Sequence, residues 1–592
     1  INRRSMKKSW IERETDVLII GTGLAGLRAA IEAGRFGQKV VLVDKALIGV
    51  NNNTALAGGG FKAALPNFLD STIEKQYDTP DQHFQDTIEY GEYLGDQSLV
   101  EIMALEAPGR ILELQEFNIP HFEALCSYGL PQPINLADGS AQVDANPARG
   151  GQTVTKGLAE ACRRLGVLTM PACILVDLLM GKHGVAGALL YRIYHGDFIV
   201  CRAASTILAT GGAGELYRIN YTTNVTTGDG YAAAYRAGAE LVDMSFAMFS
   251  PHTMMEPGLP MWYLLPCNAR FRAVYRNGKG EEFLDKVLSS SGEPTRHFKE
   301  RYGELQSDVR EIISRGIAIE IFEGRGDGDS IWLDLREVPE ELWDSDLPGK
   351  FDLRCLLRDF DWKNKPLRIS PGAITHLGGI GIDEWCKTNL AGLYAAGEAT
   401  APVHGARRRG GNAFSDCLVF GSRAGRAASE RARDNPGLTT DPGWDKEAVQ
   451  RRIADIQALN RPANEDGDPA GIRALLQDTM WENAGPLRSG ERLEKCLTDL
   501  EEIRRDRMPH LYAETPFEVK AALETENLLE VGEIVARSAQ FRTESRGCHF
   551  RTDYPRTDQE NWLCHDIIVR DNEPFTKGID VTRIPLPVPK RS

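Results

Sequence analysis

The sequence has no stretch of about 20 consecutive apolar residues, the length that a helix needs to cross a bilayer. It therefore predicts no membrane span. It also lacks an excess of positive charge, because its 592 residues carry a formal net charge of −15 at pH 7. Neutralising phosphates requires a basic surface, so this balance argues against a nucleic-acid-binding protein. A local basic pocket for an anionic small molecule remains compatible with it.

Closely spaced cysteines are also missing. The eleven cysteines are scattered, and no C-x-x-C pair occurs. Structural zinc and iron–sulfur clusters need several thiolates, usually near one another in sequence, so we expect no metal in this chain. Scattered free thiols are typical of a reducing compartment, which predicts a cytoplasmic location. The basic start, INRRSMKKSWIERETD, has no apolar segment behind it, so no export signal is expected.

What the beginning of the chain does contain is a strand–turn–helix–strand unit. The apolar run at 17–20 predicts a buried strand over residues 16–21, and the segment at 24–37 has helical periodicity and ends in glycine. A second apolar run at 39–45 predicts another strand. Two strands joined in this order form a right-handed βαβ unit, typical of nucleotide-binding α/β domains.

Three glycines, Gly21, Gly23 and Gly26, lie between the first strand and the helix. The first allows a tight turn, the second allows the backbone to approach a pyrophosphate, and the third allows helix and strand to pack closely. The helix N-terminus, with Leu24 and Ala25, then presents unpaired N–H groups to the phosphates. Asp44 follows the second strand, where a carboxylate binds ribose hydroxyls. Together these features predict a dinucleotide site.

Two later segments indicate FAD rather than a nicotinamide dinucleotide. ILATGG at 207–212 and GLYAAGEA at 392–399 are strand-plus-glycine segments of the kind that completes an FAD site in flavoproteins. Glu398 lies at the end of the second segment, where it is expected to bind ribose or ribitol hydroxyls. No second complete G-x-G-x-x-G has its own strand and acid. We therefore expect electrons to arrive from another protein rather than from a second nucleotide domain.

The remaining chain divides by composition. The region from about 250 to 365 is rich in proline, tryptophan and charge, with a predicted helix at 307–321. From about 445 onward the sequence predicts amphipathic helices. This pattern indicates an α/β fold in which a Rossmann-like FAD-binding domain is interrupted by an α+β capping domain and followed by a C-terminal helical domain. The expected boundaries are FAD-binding domain 15–249, capping domain 250–365, FAD-binding domain again 366–440, helical domain 441–565 and C-terminal tail 566–592.

Several motifs in order resemble one family over residues 15 to 565, nearly the whole chain. Besides the βαβ unit they are NNNTALAGGG, ATGGAGELY, TGDGYAAAYRAGAEL, REIISRGI, HLGGIGID, GLYAAGEA, HGARRRGGNAFSDCLVFGSRAG and RTESRGCHFRTDYPRTDQENW. The chain is similar to the flavoprotein subunits of succinate dehydrogenase and fumarate reductase, with L-aspartate oxidase and adenylylsulfate reductase as relatives. The resemblance implies a mobile capping domain over a bound FAD.

The resemblance also implies roles for individual residues. REIISRG matches a motif whose first arginine protonates the substrate, which is Arg310 here, and Glu311 could relay its proton. HGARRRGGN places His404 and Arg408 where the family binds a substrate carboxylate, a group that an arginine fork suits. The motifs and the resemblance together predict that the following residues bind FAD: Gly21, Gly23, Leu24, Ala25, Gly26, Asp44, Lys45, Asn53, Thr54, Gly58, Gly59, Thr210, Gly211, Asp229, Glu398, Asn412 and Ser415.

Three departures from the family pattern change the expected chemistry. Asn53 stands where many members have the histidine that carries FAD covalently, so we expect non-covalent FAD with a lower potential that favours reduction. Ser250 and Ile374 stand at two substrate-histidine positions. His252 and His376, each two residues further on, could replace those histidines or could serve packing alone. The family's glycine-rich cap loop is unrecognisable in segment 256–283, which predicts an acceptor that is larger or has only one carboxylate.

The expected function is that of a fumarate reductase-type flavoenzyme. Hydride would pass between flavin N5 and a carbon–carbon bond of a carboxylate-bearing substrate. An iron–sulfur partner subunit would exchange electrons, and any membrane association would come through partners. Two alternatives stay open: an adenylylsulfate-reductase-like or L-aspartate-oxidase-like flavoprotein, and a flavin relay subunit that turns over no small molecule.

Overall fold

The computed structural model describes residues 10–57, 60–64, 79–117, 119, 134–135, 150–261, 273–290, 310–336, 360–361, 364–438 and 443–583. The strands of this part are β1 Trp10–Ile20, β2 Val40–Val43, β3 Gly60–Phe61, β4 Ile134–Asn135, β5 Leu168–Met170, β6 Cys173–Gly181, β7 Gly184–Arg192, β8 Asp197–Leu208, β9 Leu241–Val242, β10 Ala247–Met254, β11 Val274–Arg276, β12 Ile331–Asp334, β13 Leu367–His376, β14 Gly379–Gly381, β15 Leu393–Ala395, β16 Thr400–Ala401, β17 Cys564–Ile568 and β18 Phe575–Gly578.

The α-helices are α1 Leu24–Arg35, α2 Asn53–Leu56, α3 Pro80–Tyr90, α4 Gln97–Leu112, α5 Gly150–Arg164, α6 Asp229–Arg236, α7 Leu284–Ser290, α8 Arg310–Phe322, α9 Asn412–Asp434, α10 Lys446–Gln457, α11 Pro469–Ala484, α12 Gly490–Glu502 and α13 Pro516–Phe541. Short 3-10 turns cover Glu113–Phe117, Gly214–Leu216, Gly397–Ala399, Glu465–Gly467 and Met508–His510, and a π-helical turn covers Ile503–Arg507.

A seven-stranded sheet carries the nucleotide-binding unit, in the order β5-β2-β1-β8-β7-β6 with β15 also paired to β8. β1 pairs in parallel with β2 and β8, and β15 pairs in parallel with β8. The glycine turn, Asp44, Thr210 and Glu398 all come just after the carboxyl ends of these strands. Open parallel sheets bind ligands at this edge, so the topology brings the predicted site together.

Both faces of this sheet are covered, as the alternation of β1 side chains requires. Val17 and Ile19 pack with α1, α4, α5 and α9, whereas Leu18 and Ile20 pack with α6 and the C-terminal helices. Helix α1 is held against α9 by glycines, since a Cβ on Gly421 would lie 2.6 Å from the backbone oxygen of Ala25. The close packing of α9 against the start of α1 therefore restrains the glycine turn that precedes α1.

The capping region forms its own antiparallel sheet, in the order β10-β13-β12-β11, with α8 packed on it. The hydroxyl of Ser314 on α8 donates to the backbone oxygen of Phe249 on β10 at 2.9 Å. This contact sets the position of Arg310, the first residue of α8. The predicted boundary at 249/250 falls inside β10, so one strand runs from the FAD-binding domain into the cap.

The C-terminal helices α10 to α13 pack as predicted for a helical domain, and the chain then returns to the FAD-binding domain. β17 pairs with the two-residue strand β9, although 322 residues separate Asp243 from His565. Arg542 lies between Asp566 at 2.9 Å, Glu544 at 2.9 Å and Asp243 at 3.3 Å, with its side chain fully buried. The predicted tail boundary at 565/566 falls inside β17. The predicted fold class is confirmed.

Among the helices of the described part, none combines the length and the apolar character that a membrane crossing requires.

Candidate active site

A cleft of about 800 Å³, partly open to solvent, lies at the carboxyl edge of the large sheet. Most of the residues predicted to bind FAD line it: Gly21, Gly23, Leu24, Ala25, Asp44, Lys45, Asn53, Thr54, Thr210, Gly211, Asp229 and Glu398. They come from the ends of different strands, and the fold therefore assembles in space what the sequence presents as separate motifs.

The glycine turn has the shape of a phosphate cradle. Gly21 has φ +106°, and a Cβ there would lie 2.0 Å from the backbone oxygen of Ala209. A Cβ on Gly26 would lie 2.0 Å from the Gly21 oxygen, whereas one on Gly23 would approach only Thr54 Oγ1, at 3.6 Å. The first and third glycines thus allow close packing, and the second leaves space in the cleft. A helix N-terminus that faces such space suits an anion.

Asp44 is held firmly at the wall of the cleft. One carboxylate oxygen accepts from the Thr22 N–H at 2.8 Å and from its hydroxyl at 2.5 Å, and the other accepts from the Ala46 N–H at 2.8 Å. Burial raises the pKa of Asp44, and these hydrogen bonds and Lys45 oppose that effect. The carboxylate is thereby oriented for ribose hydroxyls.

Lys45 joins this wall to the C-terminal domain. Its ammonium lies 2.7 Å from Asp229 and 2.8 Å from Glu524 on α13, and it also contacts the Thr227 hydroxyl. Burial alone would lower the pKa of Lys45, but the charges of the two carboxylates outweigh it and raise the pKa. The lysine is therefore a charged link between two domains.

Asn53, at the position of the family's flavin-linking histidine, uses both ends of its amide. Its oxygen accepts from the Thr223 N–H at 2.9 Å and from the Thr226 hydroxyl at 3.2 Å. Its nitrogen donates to Glu398 Oε2 at 3.3 Å, and Glu398 Oε1 accepts from the His376 N–H at 3.2 Å. Burial raises the pKa of Glu398. Asn53 is therefore a structural hydrogen-bonding centre of the cleft.

Three of the other predicted FAD positions, Gly26, Asn412 and Ser415, do not line the cleft. Gly26 lies behind the turn, and Asn412 is bonded to His83 at 2.9 Å and to Thr87 at 3.0 Å. Ser415 accepts from the Lys62 N–H at 3.1 Å and bonds its backbone oxygen as well. Their side chains fasten α9 to α3 and β3. Gly58 and Gly59 lie outside the described residues.

Arg310 of α8 and Arg408 of the FAD-binding domain influence each other electrostatically although they come from different domains. Burial lowers the pKa of Arg408, and the positive charge of Arg310 lowers it further. Among the described residues, the Nε of Arg408 has no hydrogen-bond partner, whereas its Nη1 donates to the backbone oxygen of Arg409 at 3.3 Å. Two neighbouring like charges repel each other, and an anion bound between them would remove that cost.

An imidazole accompanies each arginine. His252 is buried beside Arg310, and its Nε2 lies 2.5 Å from the Tyr275 hydroxyl. His404 lies beside Arg408, with its Nε2 3.8 Å from Asp416 Oδ2. Burial, followed by the neighbouring arginine in each case, lowers the pKa of both histidines to about 3. Both are therefore neutral at pH 7.

His376 lies apart from the two arginines. Its ring is stacked with Tyr217 at 6.3 Å between centroids, and its Nδ1 accepts from the Ala213 N–H at 3.4 Å. Burial and then the charge of Arg488 lower its pKa to about 4. Of the two positions that lack the family histidines, Ser250 is fully buried on β10, and Ile374 packs in a small apolar cluster. The structure brings His252, not His376, to the arginine pair.

Glu311, the predicted proton relay, is buried next to Arg310 in sequence. In the part of the chain that the structure describes, neither of its carboxylate oxygens has a hydrogen-bond partner. It borders a separate space of about 300 Å³ between α8 and the C-terminal domain, together with Arg315 and Cys548. The carboxylate is thus not committed to a hydrogen bond with another described residue.

The donor set of the cleft fits FAD: an open helix N-terminus for the pyrophosphate, an oriented Asp44 for ribose, and Asn53 with Glu398 further along. A model of the FAD binding domain matches residues 16–414, and a model of the fumarate reductase flavoprotein C-terminal region matches residues 473–591. The chain belongs to the succinate dehydrogenase and fumarate reductase flavoprotein family. The predicted family and the predicted FAD cofactor are confirmed.

Relatives of this flavoprotein align over almost its full length. One subunit of the fumarate reductase (CoM/CoB) of Methanothermobacter marburgensis is 34% identical, and the alignment covers 95% of this chain and 98% of that one. The succinate dehydrogenase flavoprotein subunit of Coxiella burnetii is 30% identical, with 94% and 95% covered. The structure of Sdh1 of Mycobacterium smegmatis is similar with a TM-score of 0.81 at 28% identity, covering 96% and 95%. This flavoprotein is an FAD-dependent oxidoreductase of the type that acts on CH–CH bonds.

Sequence reasoning missed three residues that shape the site of this flavoprotein. Thr22 orients Asp44, Tyr275 holds His252, and Asp416 lies beside His404. A sequence signal existed for Asp416, because it is the only charged residue in the apolar helical run AFSDCLVF. No signal existed for Tyr275, since only the fold brings its strand, β11, beside β12 and its hydroxyl to His252.

Proposed function

We propose that this flavoprotein reduces a carbon–carbon double bond of a carboxylate-bearing acceptor. The proposal rests on one observation above others: Arg408 of the FAD-binding domain is a buried cation, and the like charge of Arg310 from the cap lowers its pKa further. Such a pair is stabilised by an anion that takes up both guanidinium groups, and a carboxylate matches their fork geometry. When bound, FAD supplies a hydride to one carbon of the double bond.

Arg310 would deliver a proton to the other carbon. An arginine has a pKa above 12, so it gives up a proton only if the proton is replaced at once. Glu311 is the neighbouring group suited to that replacement, because its buried carboxylate borders the space between the cap and the C-terminal domain. Arg408 and the ring of His404 would meanwhile bind the acceptor's carboxylate and stabilise the charge that develops as the bond is reduced.

The acceptor is expected to differ from a small dicarboxylate. Ser250 and Ile374 provide no imidazole at the two family positions, and His252 is already engaged with Tyr275. A second carboxylate would therefore find fewer donors than in dicarboxylate-specific members. This supports an acceptor that is larger or has a single carboxylate.

The remaining parts of the proposal concern flavin and partners. Asn53 cannot form a histidyl bond, which supports non-covalent FAD and the reductive direction. The relatives named above are subunits by name, which supports a partner that brings electrons, and we infer an iron–sulfur protein. A cytoplasmic location remains a prediction from the free cysteines, of which eight lie in the described residues without a disulfide.

The experiment is a comparison of the FAD-loaded protein with its Arg310→Gln variant under anaerobic conditions. Reduced methyl viologen serves as donor, and fumarate, crotonate and cinnamate serve as probes of acceptor size and charge. The variant should keep its flavin and lose turnover by at least about 100-fold, the scale of a lost general acid. Arg325→Gln, also in the cap but paired with Glu320 and Glu323 rather than near Arg408, is the matched control.

The same assay separates the alternatives. With ferricyanide as electron acceptor in place of reduced methyl viologen, turnover with L-aspartate, or with AMP and sulfite, together with no turnover of the alkenes in the reductive assay, would replace the proposal by one of the two related activities. A flavin relay would pass electrons equally well with Arg310 or glutamine at that position. An unchanged rate in Arg310→Gln would therefore overturn the proposed proton donor.

A further inference from the structure

Asp416 is a buried acid that the proposed reaction has not used. It lies on α9, one turn beyond the helix start, with its side chain 4% exposed. Its Oδ2 is 3.8 Å from His404 Nε2, which is within ion-pair range but longer than a hydrogen bond. Among the described residues, neither Asp416 Oδ1 nor His404 Nδ1 has a hydrogen-bond partner. A carboxyl group and an imidazole thus lie close together inside the protein, each with an unpartnered polar atom, and a small approach would join them.

The surroundings of this pair determine where a proton can lie. Asp416 is faced by the charges of Arg408 and Glu398, and by the thiols of Cys386 and Cys417, whose pKa values burial raises strongly. His404 is faced by Arg408. The thiols are uncharged, so Arg408 is the one nearby cation and Glu398 the one other nearby acid among the described residues.

We propose that Asp416 is a positioning residue that holds one proton for His404 and transfers it to the imidazole when a carboxylate enters the cleft. In the transfer the O–H bond of Asp416 breaks and an N–H bond forms at His404 Nε2, while no other bond changes. The resulting imidazolium donates Nε2–H to Asp416 and Nδ1–H to the incoming carboxylate. This inference rests on the proposed function, since it requires a carboxylate at His404 and Arg408.

The directions of the two pKa shifts agree with this arrangement. Burial raises the pKa of Asp416 to about 7, with Arg408 opposing the shift and Glu398 adding to it. Burial and Arg408 hold the pKa of His404 at about 3. The empty pair therefore keeps its proton on Asp416 below about pH 7 and loses it above that pH. A bound carboxylate reverses the preference, because an imidazolium between two carboxylates is stabilised from both sides.

The proposal predicts how many protons the protein takes up when a carboxylate binds, and this number can be measured. Below about pH 7 a carboxylate binds without taking up a proton, since the pair already holds one. Above it, binding takes up about one proton, and Kd rises about tenfold for each pH unit. An ordinary arginine–carboxylate site would bind with an affinity nearly constant from about pH 6 to 9, because neither group titrates there.

The experiment uses the FAD-loaded protein with malonate and acrylate as probes of two and one carboxylates. Binding is followed by the flavin absorbance difference between about pH 6 and 9. Proton uptake comes from calorimetry in two buffers of different ionisation enthalpy. The variants are Asp416→Asn, Asp416→Glu and His404→Gln. His83→Gln is the control, because His83 is another buried histidine bonded to α9 but lies outside the cleft.

Wild type, Asp416→Glu and His83→Gln should show the tenfold rise and the uptake of one proton above about pH 7. Asp416→Asn and His404→Gln should bind about tenfold more weakly at pH 6, as expected when a charge-assisted hydrogen bond is lost, with no rise at higher pH. If wild type and Asp416→Asn share one pH profile and one proton count, Asp416 does not position His404, while the carboxylate site stands. If neither probe binds to the wild type, the proposed carboxylate site falls and this inference falls with it.

Discussion

The ammonium group of Lys45 lies 2.8 Å from the carboxylate of Glu524, a residue 479 positions further along the chain. Lys45 lines the FAD cleft, and Glu524 belongs to α13 of the C-terminal helical domain. Glu524 also pairs with Lys520 at 2.8 Å and lies 3.6 Å from Arg473. The wall of the cofactor cleft is thus bound electrostatically to the helical domain.

Neutralising this contact should weaken both domains. Glu524→Gln leaves the buried ammonium of Lys45 with one counter-charge instead of two, and breaking a buried pair costs about 3–5 kcal/mol. We expect a lower unfolding midpoint in urea and earlier release of FAD along the same transition. Glu533→Gln, which breaks a more exposed pair with Arg504, is the control and should cost less than about 1 kcal/mol. Equal effects of the two substitutions would contradict a structural role for the Lys45 contact.

Alanine substitutions at Gly26 and Gly23 should affect different properties, the first the stability of the fold and the second the affinity for FAD. Gly26→Ala places a Cβ where the Gly21 oxygen lies, 2.0 Å away, so the turn must open and the loss of stability should exceed about 4 kcal/mol. In Gly23→Ala the added Cβ makes no steric clash with the protein, so the chain should fold. The Cβ would project into the cleft, so the affinity for FAD should fall by at least tenfold. Circular dichroism and flavin titration separate the two outcomes.

A third glycine provides the control for this comparison. Gly37 has φ +74°, and a Cβ there would have no atom within 4 Å among the described residues. Gly37→Ala should therefore lower the free energy of unfolding by about 1 kcal/mol, because of its backbone conformation alone, and leave FAD binding unchanged. A Gly23→Ala protein that binds FAD as tightly as the wild type would show that the turn does not cradle the pyrophosphate.

Asn53 should bind flavin without a covalent bond and should matter for its affinity. Acid precipitation of the wild-type protein should release all of its flavin into the supernatant. Asn53→Ala removes the acceptor for Thr223 and Thr226 and the donor to Glu398, leaving buried polar groups unpaired at a cost of about 1–3 kcal/mol. The expected result is roughly tenfold weaker FAD binding. Flavin that stays with the precipitated wild-type protein would contradict the prediction; Asn435→Ala, on the surface, serves as control.

His83 should make the protein less stable in acid. Burial lowers its pKa from 6.5 to about 4; the hydrogen bond that its Nε2 donates to Asn412 opposes this shift, and the charges of Lys62 and Arg409 add to it. Between these two values the unfolded chain binds one more proton than the folded chain, so the free energy of unfolding falls as pH falls. His83→Gln keeps a bond to Asn412 and removes this proton, which reduces the pH slope by about 1.4 kcal/mol per unit. Urea unfolding at about pH 6.5, 5.5 and 4.5 measures it. Identical slopes would show that His83 titrates normally.

The parts of the fold that could be predicted are those encoded locally. The βαβ unit, α8 and the amphipathic helices of the C-terminal domain each carry their own periodicity within one continuous segment. The structure places β2 and α8 close to their predicted bounds, whereas β1 begins at Trp10, well before the predicted start. Strand β17 could not be predicted, because it pairs with β9, a strand of only two residues with no pattern of its own. The ion pairs of Arg542 with Asp243 and Asp566 help to hold these two distant segments together. Nothing in the sequence indicates that these three charged residues are partners.

The site divides in the same way. Positions next to strand ends, such as Asp44 and Glu398, could be placed from sequence because parallel strands share one functional edge. By sequence, His376 and His252 are equivalent candidates, because each lies two residues beyond a position where the family has a histidine. They differ in the structure because β10 and β13 are antiparallel neighbours with register shifts, which bring one ring to Arg310 and the other to Tyr217. No single-strand pattern contains that information.

The pairing of β9 with β17 has a consequence for how the protein is made. The ribosome releases Leu241 and Val242 more than 300 residues before Cys564–Ile568 emerges. Until then the nascent nucleotide-binding module has an unpaired strand edge and an Asp243 without Arg542. Full assembly therefore waits for the last part of synthesis, and chaperones that protect exposed edges have a long interval in which to act.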